Sequence, residues 1–425
     1  MQKTYFLFLF LSFFILTGSA QKIEPFTSAE AAGFSAGRLQ KVDNLLNDWV
    51  KKGNMQGATA LVIHNGKIAY NKAIGFNDLE AKIPMQKENI FRIASQTKAI
   101  TSVAIMMLFE EGKLRLDDPV SIYIPSFKDQ TVLGKFNSAD TTYTTVPAKS
   151  PVTIRHLLTH TSGIGYAQIG SPEANAIYAK NNITAGIGVK DISLLEAMTR
   201  LGKLPLMHQP GEKWTYGLNT DLLGSLVEII SGNTLSEFFR TRIFEPLGMK
   251  DSYFNVPQAK ASRLVHLYME DSVGKLKKAD LRIFNGPALS NYPLEPYTYY
   301  SGGAGLSTTI YDYGVFLQML LNDGVYDGKR ILSRNAVRLM TMNQIGDLPF
   351  GDNKFGLGFS VVTENGSSKT MARKGTFGWG GAFATSYWVD PKEKLVILLY
   401  RNLFNTSHWD DSELYLTMIY AALNQ

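Results

Sequence analysis

The sequence predicts an α/β fold of the α+β kind: an antiparallel sheet built from both chain ends, flanked by helices, with a mostly helical region inserted between them. Three features predict it. A helical pattern followed by a β-hairpin opens the chain, strand-like runs return after residue 355, and the stretch between carries helical periodicity broken by Pro and Gly.

Taken in order, the first twenty residues read as a secretory signal. Lys3 supplies the positive start, Tyr5 to Leu16 the apolar run, and Gly18-Ser19-Ala20 a small-residue cleavage site. An uncleaved anchor needs about 20 apolar residues and this run is shorter. The chain is therefore expected to lose it, to keep no stable membrane anchor, and to act in a bacterial periplasm or outside the cell. The expected organisation is a signal peptide over 1–20 and one large domain over 21–425. Within that domain an α/β part takes about 21–115 and 305–425, and a mostly helical part about 116–304.

Residues 35–52 (SAGRLQKVDNLLNDWVKK) place apolar side chains at helical spacing. "ATALVIHNGKIAYNKAIG" then gives two β-rich runs joined by Asn65-Gly66, a pair that tolerates the positive φ of a tight hairpin turn. Residues 96–111 read as an apolar helix. Further helices are expected over 153–159, 192–201, 220–231 and 234–244, with the polar stretch from Asp129 to Ser150 counted as part of the helical insertion. Helices resume over 309–322 and 333–342. The strand signals that follow are "GLGFSVVTE", "TMARKG", "AFATSYWV" and "KLVILLYRN", with Asp390-Pro391 turning between the last two and a helix over 408–424 closing the chain.

Composition narrows the chemistry. With 45% hydrophobic residues the chain can bury a large core, and the absence of Cys excludes disulfides, thiolate metal sites and a Cys nucleophile. The net charge of +6 is dispersed; its densest run, Lys275-Leu276-Lys277-Lys278, follows Gly274 and reads as a solvated hairpin turn. Aromatic residues do not interleave with basic ones, so no nucleic-acid partner is expected. His156 and His160 stand four apart in "HLLTHTSG", but no Glu lies between them and no acidic third ligand is near, so neither a metal nor a cofactor is expected. His64 begins a hairpin turn, and His208, His266 and His408 fall in loop-like contexts.

A Ser-His-Asp triad stays open, without a motif to support it; the alternative is a serine whose partner is not histidine. A lysine one helical turn from a serine can take its proton if the amine is neutral. The S-x-x-K spacing occurs at Ser19/Lys22, Ser95/Lys98 and Ser272/Lys275. Only Ser95/Lys98 opens an apolar helix, where Ala99, Ile100, Val103, Ala104, Met106, Met107 and Leu108 pack the following turns. Apolar surroundings would penalise the charged ammonium, and the backbone N–H of Ser95 at the helix start would face a developing oxyanion.

"FRIASQTKAIT", "TIRHLLTHTSGI", "PGEKWTYGLNTDLLGSLVEIISG", "FEPLGMKDSYF", "SGGAGLSTTIYDYGVFLQMLLNDG" and "GWGGAFATSYWVDPKEKLVILL" occur in that order. Together, over about residues 35–422, they resemble the serine β-lactamase-like superfamily of class C β-lactamases, penicillin-binding DD-peptidases and related carboxylesterases. The resemblance implies a β-lactamase/transpeptidase-like fold, with Ser95 as the acylated nucleophile and Lys98 as its proton partner. Tyr216 in "WTYGLN" takes the second-motif role of sharing the base function and protonating the leaving group. Trp379-Gly380-Gly381 takes the place of the third-motif triplet on an edge strand, and the N–H groups of Ser95 and Ala382 form the oxyanion hole.

Two departures bear on substrate. Leu218 stands where the β-lactamase motif has Asn, and Asn219 comes one place late; both are expected to face substrate. Trp379 stands where a substrate-binding Lys would be, and Lys374 is about 16 Å upstream along an extended strand. Leu218 with Trp379 is similar to the esterase branch. Three readings stay open: a secreted carboxylesterase for small or medium acyl esters; a β-lactamase, DD-peptidase or D-aminopeptidase-like cell-wall hydrolase; and a catalytically silent binding protein on the same fold. The expected partner is accordingly a small-molecule ester, amide or β-lactam.

Overall fold

A computed structural model describes residues 22–184, 186–279 and 292–424; the expected signal segment lies outside them. Helix α1 (Ala36–Lys52) begins where the Ser35 side chain accepts a hydrogen bond from Arg38 N, and ends at Gly53, whose φ of 81° suits a residue without Cβ. Strands β1 (Gly57–His64) and β2 (Lys67–Asp78) follow, turning through Asn65 and Gly66 at φ 51° and 76°. Both turn residues are left-handed, as the sequence pair requires.

The two chain ends meet at β1. Its second edge pairs antiparallel with β8 (Leu395–Tyr400), Leu61 opposite Leu398. The sheet has eight strands in the order β4 (Lys354–Phe355), β5 (Ser360–Val361), β6 (Phe377–Gly381), β7 (Thr385–Asp390), β8, β1, β2, β3 (Ile83–Pro84). Because β1 and β8 are covered on both faces, their sequences are apolar without alternation. Ala58, Ala60, Val62, Ile397 and Leu399 point to a layer made by α1 and the last helix, α5 (Asp411–Ala422), through Leu46, Trp49, Tyr415 and Ile419. Leu61, Ile63, Val396 and Leu398 point the other way, to α2 (Thr97–Glu110) and α4 (Ile310–Leu321).

Helix α2 is the centre of the molecule. Every residue from Thr97 to Leu108 is buried, since α3 (Asn219–Ser231) packs on the side away from the sheet. A helix apolar all round is buried all round.

Several sequence expectations are corrected. The polar stretch 129–150 is a β-hairpin, Thr131–Asn137 paired with Thr142–Pro147, not part of a helical insertion. Its strands are largely exposed, so they carry β-branched Thr and Val without a hydrophobic alternation to reveal them. It docks where Leu133 N donates to Leu206 O and Leu206 N to Thr131 O, both at 2.8 Å. "TMARKG" is a loop turning at Gly375 (φ 94°), and the strand it announces comes after it. A helix over Pro172–Lys180, capped by Ser171, was not foreseen. The helix expected over 234–244 is α-helical only over Leu235–Phe239, then widens into a π turn. No described helix is long and apolar enough to cross a membrane.

Candidate active site

Ser95 occupies the 3-10 turn Ala94–Gln96 that feeds α2. The preceding residue, Ala94, has φ 43°, a left-handed conformation costing an L-residue roughly 1–2 kcal/mol. The surroundings impose it. Tyr313 of α4 donates its hydroxyl to Gln96 O at 2.8 Å, Tyr400 of β8 donates to Gln96 Oε1 at 2.7 Å, and Ile93 N donates to Leu306 O at 3.1 Å.

One turn on, Lys98 is 3% exposed, and its Nζ donates to Ser95 Oγ (3.3 Å), Tyr166 OH (2.9 Å) and Gly303 O (2.8 Å). It also lies 4.6 Å from the ring centre of Tyr216 and 5.5 Å from that of Tyr166. The apolar setting expected for this amine is thus replaced by three acceptors and two ring faces. Tyr216 donates its hydroxyl to Ser95 Oγ at 2.7 Å, so amine and phenol converge on one oxygen.

Strand β6 closes the other side. At Phe377 and Gly378 it pairs with both β5 and β7, but among the described residues Trp379 to Gly381 pair with β7 alone. A Cβ at Gly381 would overlap Ile93 O and Thr385 Oγ1, so the glycine is what lets this strand end abut the Ser95 turn. Trp379 donates its indole N–H to Tyr216 OH at 3.4 Å. Trp214, stacked on Tyr216 at 5.9 Å, and Phe350 and Phe355 complete an aromatic wall. Ser95, Tyr216, Trp379, Gly380, Gly381 and Ala382 line one cavity of about 340 Å³ with Ala94, Tyr166, Gln168, Ile169, Ile187, Ala304 and Trp409. Among the described residues no charged side chain lines it. A larger groove of about 1280 Å³ between α1, α5 and the 364–374 loop contains none of Ser95, Lys98 and Tyr216.

Leu218 and Asn219 are corrections. Both have no exposed surface. Leu218 precedes the first turn of α3 and packs into the core, while the Asn219 amide bonds His160 Nδ1 (2.9 Å) and accepts from Ser162 Oγ (2.5 Å). Neither reaches the cavity, because the helix they begin turns inward immediately after Tyr216.

His156 and His160 have structural partners. His156 completes a capping box with Thr153. His160 packs 5.0 Å from Tyr216, and burial, with Lys98 nearby, holds its imidazole well below the usual range and therefore neutral. Among the described residues no group of three His, Asp or Glu side chains could hold a metal. Ser272 and Lys275 lie in the tight turn Asp271–Lys275. Gly33 to Gly37 has the G-x-S-x-G spacing of a nucleophile elbow, yet its serine, Ser35, only caps α1.

Sequence reasoning missed Tyr166, Gly303 and Asp221. Burial raises the Tyr166 phenol well above its ordinary value, so it stays protonated and offers Lys98 a neutral acceptor. Tyr166 stands two places after the "THTSGI" motif and Gly303 lies inside "SGGAG", so both adjoined signals already in view.

A serine whose oxygen receives a lysine amine from the next helical turn and a tyrosine hydroxyl, on a helix sandwiched between sheet and helices, fits the site of a serine hydrolase. Residues 42–422 match the Beta-lactamase family, and this chain belongs to it. The chain is 34% identical over 359 residues to Protein Rv1367c of Mycobacterium tuberculosis, covering 81% of this chain and 85% of that one. It is 30% identical over 397 residues to Esterase EstB of Burkholderia gladioli, covering 90% and 94%. Among solved structures, EstCE1, a hydrolase with promiscuous acyltransferase activity, superposes with TM-score 0.76 at 26% identity, covering 91% and 98%. The fold is β-lactamase/transpeptidase-like.

Proposed function

We propose that this chain is an exported carboxylesterase that forms an acyl-enzyme at Ser95 with small or medium acyl groups. The observation that carries the substrate class is the cavity: its lining is mostly apolar and aromatic, with Gln168 as its one amide, and among the described residues no charged side chain is there to recognise a carboxylate. The esterase relative and the EstCE1 likeness support the same class. The β-lactam and DD-peptidase reading is weakened because Asn219 is buried and Trp379 fills the cation's place.

In the proposed reaction the Ser95 proton passes to the Tyr216–Lys98 pair as Oγ attacks the ester carbonyl. The N–H groups of Ser95 and Ala382 receive the oxyanion. The pair returns the proton to the leaving alkoxide oxygen, and water repeats the sequence in reverse to release the acid. Tyr166 and Gly303 hold the amine in line. We also propose that residues 1–20 are removed on export, and that 116–304, its helices joined by the 131–147 hairpin, forms a lobe meeting the α/β lobe at Ser95. In support, Tyr166 and Tyr216 come from one part and Trp379 from the other.

The test is hydrolysis of p-nitrophenyl acetate and butyrate. Ser95→Ala should abolish it and also abolish labelling by a fluorophosphonate; equal turnover by the variant refutes the reading. Stoichiometric labelling of Ser95 by a fluorescent penicillin, with no ester cleaved, would favour the cell-wall hydrolase instead.

A further inference from the structure

We propose that Asp221 is a positioning residue for Lys98, holding it through Gly303 and supplying the negative charge behind it; this rests on the acyl-serine reading of Ser95.

Asp221 sits in the first turn of α3 and is 1% exposed. A buried carboxylate is costly unless something answers its charge, and its Oδ1 accepts no hydrogen bond of good geometry among the described residues. Four elements face it. From α2 comes the Lys98 amine, which gains positive charge as the Ser95 proton reaches the Tyr216–Lys98 pair; from the loop after "HTSG" comes Tyr166; from the segment before α4 come Tyr299, Ser301 and the Gly303 backbone N–H. Gly186 passes beside Oδ1 on the fourth side.

Gly303 joins the two charged groups. Its carbonyl accepts from Lys98 Nζ at 2.8 Å, and its N–H is directed at the Asp221 carboxylate. A Cβ on Gly303 would stand 2.5 Å from Asp221 Oδ2 and 3.5 Å from Lys98 Nζ, so the two charges lie within about 6 Å of each other. The peptide therefore relays position: Asp221 fixes Gly303, and Gly303 fixes the amine against Ser95 and Tyr166.

Burial pushes the Asp221 carboxyl up to about 6, while the Ser301 hydroxyl, Lys98, Tyr299 and the Gly303 N–H pull the other way. Above that pH the group is anionic and answers Lys98; below it the charge is lost. Activity should accordingly fall on the acid side near pH 6.

The experiment is the pH profile of kcat/KM for p-nitrophenyl butyrate in wild type, Asp221→Asn and Ser301→Ala. The same profile is read as the rate of Ser95 labelling by a fluorophosphonate, which needs no ester turnover. Asp221→Asn should remove the acid limb and lower kcat more than KM at alkaline pH. The loss should reach up to on the order of a hundredfold, the Coulomb attraction of unit charges about 6 Å apart at an effective dielectric of about 20. Ser301→Ala removes a group that lowers the carboxyl, so its limb should move to higher pH. An acid limb unmoved in both variants overturns the proposal. If Asp221→Asn does not fold, the Ser301→Ala limb decides alone. Normal labelling profiles with no ester cleaved would defeat the esterase reading and leave this one standing.

Discussion

Replacing Gly381 by Ala tests whether the free end of β6 is held against the nucleophile turn by contact alone. The new methyl would fall about 1 Å inside ordinary contact with both Ile93 O and Thr385 Oγ1. Neither obstacle can yield to the other's side, because Thr385 Oγ1 is itself within 3.4 Å of Ile93 O, donating to it. One is backbone beside Ser95 and the other belongs to a paired strand, so the strand end must withdraw by about 1 Å. A misplacement of that size costs about a hundredfold in rate, and overpacking of this kind about 1–3 kcal/mol in stability. Steady-state ester hydrolysis and denaturant unfolding read the two losses. Gly380→Ala is the control: its methyl would meet nothing nearer than Thr385 O at 3.6 Å, so stability should be kept. If Gly381→Ala retains activity within about threefold and an unchanged unfolding midpoint, the strand end does not govern the Ser95 geometry and the reasoning fails.

Three further outcomes are expected. Tyr216→Phe removes the hydroxyl that donates to Ser95 Oγ at 2.7 Å and should lower kcat by about a hundredfold or more with the melting temperature kept; a change under threefold would assign the proton transfer elsewhere. Leu218→Asn should confer no penicillin turnover and should destabilise by about 3 kcal/mol, because it puts an unpartnered amide where a fully buried Leu packs; a soluble, stable variant that acylates with penicillin would contradict the buried placement. Asp221→Asn should raise stability at neutral pH. The carboxyl is pushed up by burial from 3.8 to about 6, so the native state binds the proton more tightly than the unfolded one, and stability is lost as pH rises through that window. The gain at neutral pH is up to about 3 kcal/mol and vanishes near pH 3, as chemical unfolding at the two pH values would show.

The sheet, its hairpin and α2 were readable because burial on one or two faces writes period or uniform apolarity into the sequence, as in "ATALVIH" and "KLVILLY". The Ser95/Lys98 spacing was readable because one helical turn is a local distance. What surrounds Lys98 was not: Tyr166 and Gly303 are 68 and 205 residues away in the chain and meet it only through tertiary packing. Leu218 and Asn219 were read as facing substrate because a string places them beside Tyr216, whereas the start of α3 rotates them into the core. The 131–147 hairpin escaped because exposed strands need no apolar face.

The meeting of β1 with β8 also sets an order of events during synthesis. The Ser95 turn is held by Tyr313 and by Tyr400, which stands 305 residues after it on a strand that must first pair with β1. A ribosome that has made α2 has therefore made Ser95 but not the means of fixing its turn. Contacts of such sequence separation form late and slowly. The Ser95 turn in the nascent chain therefore stays unfixed until β8 emerges and pairs with β1.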